Sequence, residues 1–204
     1  MTVRLVWLAL VAAVATLAQP AQPAHAQLTN GPQSTTGTVE LTGSVASRCG
    51  VAASGNGTNA DQTVALGKLA AADGTLRSGL DSQFASAVAA ISVVCNTAAP
   101  TISISVSPLA GQSGAGSPPA GFADTIAYTA AVSLATTASA PVILSTVSGS
   151  STSHTLSVSE GRIANSPGNV VLKASAFHTA NAADILVADS SYKGSIAVTI
   201  APGA

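Results

Sequence analysis

Charge is scarce in this chain. Only 7% of its 204 residues are Asp, Glu, Lys or Arg. The basic ones form no patch, which excludes a nucleic-acid interface built on phosphate contacts. The eight acidic residues are scattered singly and show no calcium-loop spacing. Aromatics amount to 3%; Tyr128 and Tyr192 are the candidates for stacking a ligand, although core or strand-end packing is the commoner role of such residues. Cysteine occurs twice, without the Cys-x-x-Cys spacing of a redox pair, and two thiols with His154 and His178 make no recognisable zinc site. There is no Gly-x-Ser-x-Gly elbow, and neither histidine has the neighbours of a triad. The Gly-rich stretch 111–116 runs into prolines instead of a helix, so it is no phosphate cradle. No acid–base or nucleophile set can be assembled, and the chain reads as a non-enzyme without cofactor or metal.

What is present begins with a leader. Arg4 precedes an apolar run from Leu5 to Leu17, too short for a comfortable bilayer span, and Ala24-His25-Ala26 has the form of a cleavage signal. Residues 1–26 are therefore read as a signal peptide cut between Ala26 and Gln27. No later apolar run is long enough to span a membrane as a helix, and the product is expected to be exported. Removing Arg4 with the leader leaves six basic against eight acidic residues, a net charge of about −2.

Residues 27–36 form a polar, flexible lead, and residues 37–204 read as one domain. Val39, Leu41, Gly43 and Val45 alternate on one face of an expected strand over 38–47. Further short strands are expected over 62–69, 101–107, 122–134, 141–147, 152–158, 169–177 and 192–200, with a loop over 108–121 and a brief apolar piece over 185–188. Residues 84–95 are ambiguous at their alanine-rich start and strand-like at their end. Ile102, Ile104 and Val106 are expected to point inward, and Ile126, Tyr128, Ala130 and Val132 alternate along the strand over 122–134. Eight or nine short strands separated by turn residues indicate an all-β sandwich. Cys49 and Cys95 each end a strand-like run, and in an oxidising compartment the economical reading is one disulfide, worth about 4 kcal/mol in the chain-entropy model.

A cysteine ending the first strand, the Val64-Ala-Leu66-Gly67 strand, a second cysteine ending a later strand, the Asp124-Thr-Ile-Ala-Tyr128 strand and the terminal strand from Tyr192 come in an order that resembles chaperone–usher pilins, closest to the archaic, spore coat U-like branch. The resemblance covers about Gly37 to Pro202. It implies an immunoglobulin-like sandwich lacking its last strand, completed first by a periplasmic chaperone and then, at the outer-membrane usher, by the N-terminal extension of another pilin subunit. On that resemblance Cys49 and Cys95 are the pilin disulfide. Val39, Leu41 and Val45 fall on the donor or first strand, and Tyr192, Ile196, Val198 and Ile200 on the terminal assembly strand.

Two functional classes are consistent with these features. One is a structural subunit of a bacterial surface fibre, passing through the periplasm to the cell surface. The other is a self-contained secreted or surface sandwich acting as an adhesive module. They differ at the sheet edge: an uncovered apolar groove between the first and last strands favours the fibre, and a groove filled by the chain's own strand favours the module. Both share the leader. N-terminal sequencing of the exported product is expected to begin at Gln27, and a retained segment 1–26 would make the leader an anchor.

Overall fold

Alternating β-branched residues form strands wherever a neighbour exists to take both their hydrogen bonds and their apolar side. The computed structural model describes residues 40–51, 61–113 and 117–203. The chain divides into two units, Met1–Gly43 and Ser44–Ala204. Of the first only residues 40–43 are described. The elements of the second, in chain order, are β1 (Cys49–Val51), α1 (Leu80–Ala87), β2 (Val93–Cys95), β3 (Thr101–Gly111), β4 (Phe122–Ala123), β5 (Thr125–Leu134), β6 (Val142–Val147), β7 (Ser151–Thr155), β8 (Val170–His178), β9 (Ile185–Leu186) and β10 (Tyr192–Ala201).

The strands make an all-β sandwich. β3 lies between β7 and β10, and β5 lies between β6 and β8, all antiparallel. The two groups join where the end of β3 meets the start of β5, at Leu109–Ile126 and Ala110–Thr125. β1 pairs with β2, and Ile91 just before β2 bridges to Val170 at the start of β8. β4 and β9 form a small parallel pair.

The inward row of β3 (Ile102, Ile104, Val106) meets that of β5 (Tyr128, Ala130, Val132, Leu134), with Leu144, Leu156 and Val170 closing the core. Each fully buried aliphatic side chain here stabilises by roughly 1.5–3 kcal/mol relative to exposure. Tyr128 is 4% exposed and belongs to this core. Its hydroxyl donates to the Ser107 carbonyl (2.9 Å), with the Ser195 carbonyl at 3.2 Å. Burial pushes its pKa up to about 12, so it remains a donor at neutral pH.

Several expectations are corrected. Residues 40–48 are not a strand, and Leu41 and Val45 are 88% and 87% exposed: among the described residues only Ala46 and Arg48 find hydrogen bonds, all with Asn96 just after β2, and alternation alone does not make a sheet. Residues 62–69 likewise form no strand, although Val64 and Leu66 pack on the core. Residues 80–87, which include the alanine-rich start of 84–95, form α1, which buries Leu80 and Phe84. β3 continues through Pro108 to Gly111 where a loop was expected. The pairing with β10 shifts register between Lys193 and Ser195, opposite Pro108, and a proline is tolerated where a bulge removes the need for its missing N–H. Gly194 completes this fit: a Cβ there would lie 2.8 Å from the Pro108 carbonyl oxygen.

Two links fasten the loops and termini to the core. Cys49 and Cys95 face one another across β1 and β2 and are disulfide-bonded. That bond is compatible with an exported protein in an oxidising compartment, and no helix among the described residues is long and apolar enough to cross a membrane. The second link is Asn169, 2% exposed. Its amide donates to the carbonyls of Val93 and Ala164 (both 2.6 Å) and accepts from the Val93 N–H (2.8 Å). Nothing in a single sequence distinguishes this asparagine from a turn residue. Replacing Asn169 by Ala orphans the Val93 N–H and carbonyl and leaves the Ala164 carbonyl with the Ser166 N–H (3.0 Å) alone, and a loss of about 2–4 kcal/mol is expected in denaturant unfolding; a loss below about 1 kcal/mol would show that the Val93 groups find other partners.

Candidate functional site

The last strand has one finished side and one open one. β10 pairs with β3 from Tyr192–Gly111 to Ala201–Thr101. Among the described residues no strand pairs with its other edge. In register, Ile196 lies beside Val106, Val198 beside Ile104 and Ile200 beside Ile102. The three therefore share the core face of β3, yet stay half-buried while their β3 neighbours are buried. The reason is a cleft between β10 and the opposite wall. Its lower part, about 320 Å³, lies between Ile196, Val198 and Ile200 on one side and Ile91, Val93, Val170 and Leu172 on the other, with β1 at the end. Its upper part, about 340 Å³, continues past Phe84, Leu109, Tyr128 and Phe177. Asp61, Ile91, Leu172 and Ile196 border both parts, so the two form one groove. At 3.3 Å per residue, the row from Ile196 to Ile200 alone is about 13 Å long.

The upper wall is shaped by backbone irregularity. β8 shifts register against β5 opposite Tyr128, and Ala176 there adopts φ 54, which a non-glycine residue takes at a cost of order 1 kcal/mol. The irregularity turns Phe177 onto Tyr128, the rings stacked with centroids 5.2 Å apart. This pair ends the groove with aromatic surface. Sequence reading missed Phe177 and Leu172 as groove residues because the bulge that aims Phe177 has no local signature.

Residues 61–66 lie in the upper groove without joining a sheet. Val64 and Leu66 touch the core. The Gln62 side chain donates to the Ala89 carbonyl (3.0 Å) and accepts from the Ala89 N–H (2.9 Å). Arg77 donates to the Leu66 carbonyl (3.4 Å) and to Gln83.

Of the residues singled out from sequence, Cys49, Cys95, Ile196, Val198 and Ile200 come together at this groove. Tyr192 stands at the start of β10 outside it, its hydroxyl donating to the Val187 carbonyl (2.7 Å). Leu41 and Val45 carry fully exposed apolar side chains. Val39, Ala26 and Gln27 lie outside the described residues.

Two polar clusters lie elsewhere. His154 Nε2 is 2.8 Å from Glu160, which also accepts from the Ser157 N–H (2.7 Å) and hydroxyl (2.8 Å). The bonds from the Ser157 N–H and hydroxyl hold the Glu160 carboxyl below its usual pKa, with His154 adding to the effect. Ser157 bonds to the carboxylate and not to the imidazole, so this is a clasp on the turn after β7 and not a base-activated hydroxyl. Asp189 joins two loops by accepting from the Ser113 hydroxyl (2.6 Å), the Ser113 N–H (2.8 Å) and the Ser191 N–H (2.9 Å). Among the described residues no three His, Cys, Asp or Glu side chains are placed to hold a metal ion.

Neither protein-family models nor curated proteins nor solved structures yield a match to this chain.

Asp189 supplies a pH test. The bonds from Ser113, its hydroxyl first, lower the carboxyl pKa from 3.8 to about 2. A carboxyl depressed on folding stabilises the fold above its unfolded pKa and loses that contribution as pH falls from about 4 to about 2. Asp73 and Glu160 are depressed as well and act in the same direction. Thermal unfolding from pH 6 to 2 is therefore expected to fall less steeply below pH 4 for Asp189→Asn than for the native chain. Identical slopes would remove Asp189 from the acid response.

Proposed function

We propose that this chain is a structural subunit of a bacterial surface fibre, completed by a strand donated from another subunit. The observation that carries this reading is the open outer edge of β10 above an apolar groove. An edge of that kind offers an extended peptide main-chain hydrogen bonds on one side and alternate side-chain pockets on the other. Ile196, Val198 and Ile200 alternate with period two, as do Val39, Leu41, Gly43 and Val45 in the donor candidate. The exposure of Leu41 and Val45 fits a segment whose apolar side is covered by something else. The resemblance to archaic chaperone–usher pilins supports the same assignment, with a periplasmic chaperone and an outer-membrane usher as assembly partners and the cell surface as destination.

A second reading has one observation in its favour. Residues 61–66 fill part of the groove from within the chain, as they would in a self-contained secreted adhesive module.

Assembly separates the two. The mature chain alone is expected to form concentration-dependent oligomers or to unfold readily, and to gain thermal stability when a peptide of residues 37–47 is added. Leu41→Asp is expected to stop oligomer growth without affecting folding, because that side chain is exposed. Val198→Asp places a charge beside Ile104 and the core, and is expected to destabilise by about 2–4 kcal/mol and to abolish peptide capture. Size-exclusion chromatography and thermal unfolding read both effects. A stable monomer indifferent to the peptide would leave the adhesive module as the reading.

A further inference from the structure

We infer that residues 61–66 are a displaceable strap, which occupies the upper groove in the free subunit and must leave before a donated strand can fill its full length. The inference rests on the fibre reading above and adds to it a control step inside the subunit.

The strap has the side-chain pattern of a strand and none of its backbone bonding. Val64 and Leu66 are half-buried between exposed Thr63, Ala65 and Gly67. Among the described residues, no backbone N–H or C=O of 61–66 bonds to another backbone group. What holds the segment is borrowed from side chains: the two Gln62 bonds to Ala89 at one end and the Arg77 bond to the Leu66 carbonyl at the other. It is also loosely seated. Val64 and Leu66 border the upper groove on one front and a cavity of about 560 Å³, reaching Leu186 and Tyr192, on the other. A donated strand would offer the same kind of apolar contact to Tyr128, Phe177 and Ile196, and a hydrogen-bonded ladder to β10 besides. The strap shields the groove without satisfying the β10 edge, and so gives way to a ligand that does both.

Removing the Gln62 bonds therefore raises the fraction of subunits with an open groove, and the apparent affinity for a donor rises in proportion to that fraction. Two exposed hydrogen bonds correspond to about a tenfold change. The experiment uses the mature, disulfide-intact chain carrying Leu41→Asp to suppress self-donation, with a fluorescent peptide of native residues 37–47 as probe. Gln62→Ala is expected to speed peptide association about tenfold. In a second measurement, free of any effect of Gln62 on folding, the thiol introduced by Val64→Cys is expected to react slowly with maleimide in the free subunit and several-fold faster once peptide is bound. Equal association rates in both proteins, with a thiol no more reactive after binding, would overturn the strap while leaving the fibre reading intact. Peptide binding to neither protein would remove the fibre reading and the strap together.

Discussion

β3 gives hydrogen bonds from both of its edges, to β7 over Thr101–Ser105 and to β10 from Thr101 to Gly111. With both neighbours fixed, its inward row of Ile102, Ile104 and Val106 cannot slip register without carrying apolar side chains to solvent. That row sets the level at which β5 packs from the opposite side, and it also fixes the face on which β10 presents Ile196, Val198 and Ile200. The same pairing that completes the core on one edge of β10 leaves its other edge facing the groove. Core and candidate site thus follow from one strand's bonding.

The groove is a gap in the packing of an otherwise continuous core. Half-burial of three large aliphatic side chains in line forgoes a share of the stabilisation that their β3 neighbours obtain, and the unpaired main chain of β10 adds to the deficit. Small domains carry few such gaps because each costs a visible part of a net stability of only about 5–15 kcal/mol. The disulfide between β1 and β2 and the buried Asn169 lie at the lower end of the groove, holding the opposite wall to the core where cross-groove bonding is missing. Fastening of that kind keeps the lower part of the groove open and shaped.

Polar chemistry plays its part at the ends of strands. Asp189 binds the loop after β3 to the approach to β10, and Glu160 closes the turn after β7. Each carboxylate is satisfied by hydroxyl and backbone donors in a chain with very few charged residues. The electrostatics here serve loop geometry, and the surface beside β10 offers a strand partner little charge to desolvate: Asp61 lines the groove and Lys193 lies near the start of β10.

What the sequence determined by itself was whatever local alternation can specify. The period-two rows of 101–106, 126–132 and 196–200 marked three core strands and their inward faces, because side-chain direction in a strand depends only on residue parity. The two cysteines at strand ends marked the bond that the structure contains. Other features were decided by tertiary structure. Residues 40–48 and 61–66 also alternate, yet neither is a strand, since a strand exists only through a partner and no local signal names the partner. Pro108 reads as a break and lies within β3, because a bulge there, with Pro108 and Leu109 opposite Gly194, removes the need for its missing N–H. Phe177, Leu172 and Ile91 became groove residues only when β8 came to lie across from β10. A groove is a relation between two edges far apart in sequence, and its emptiness depends on a partner that no stretch of either edge encodes.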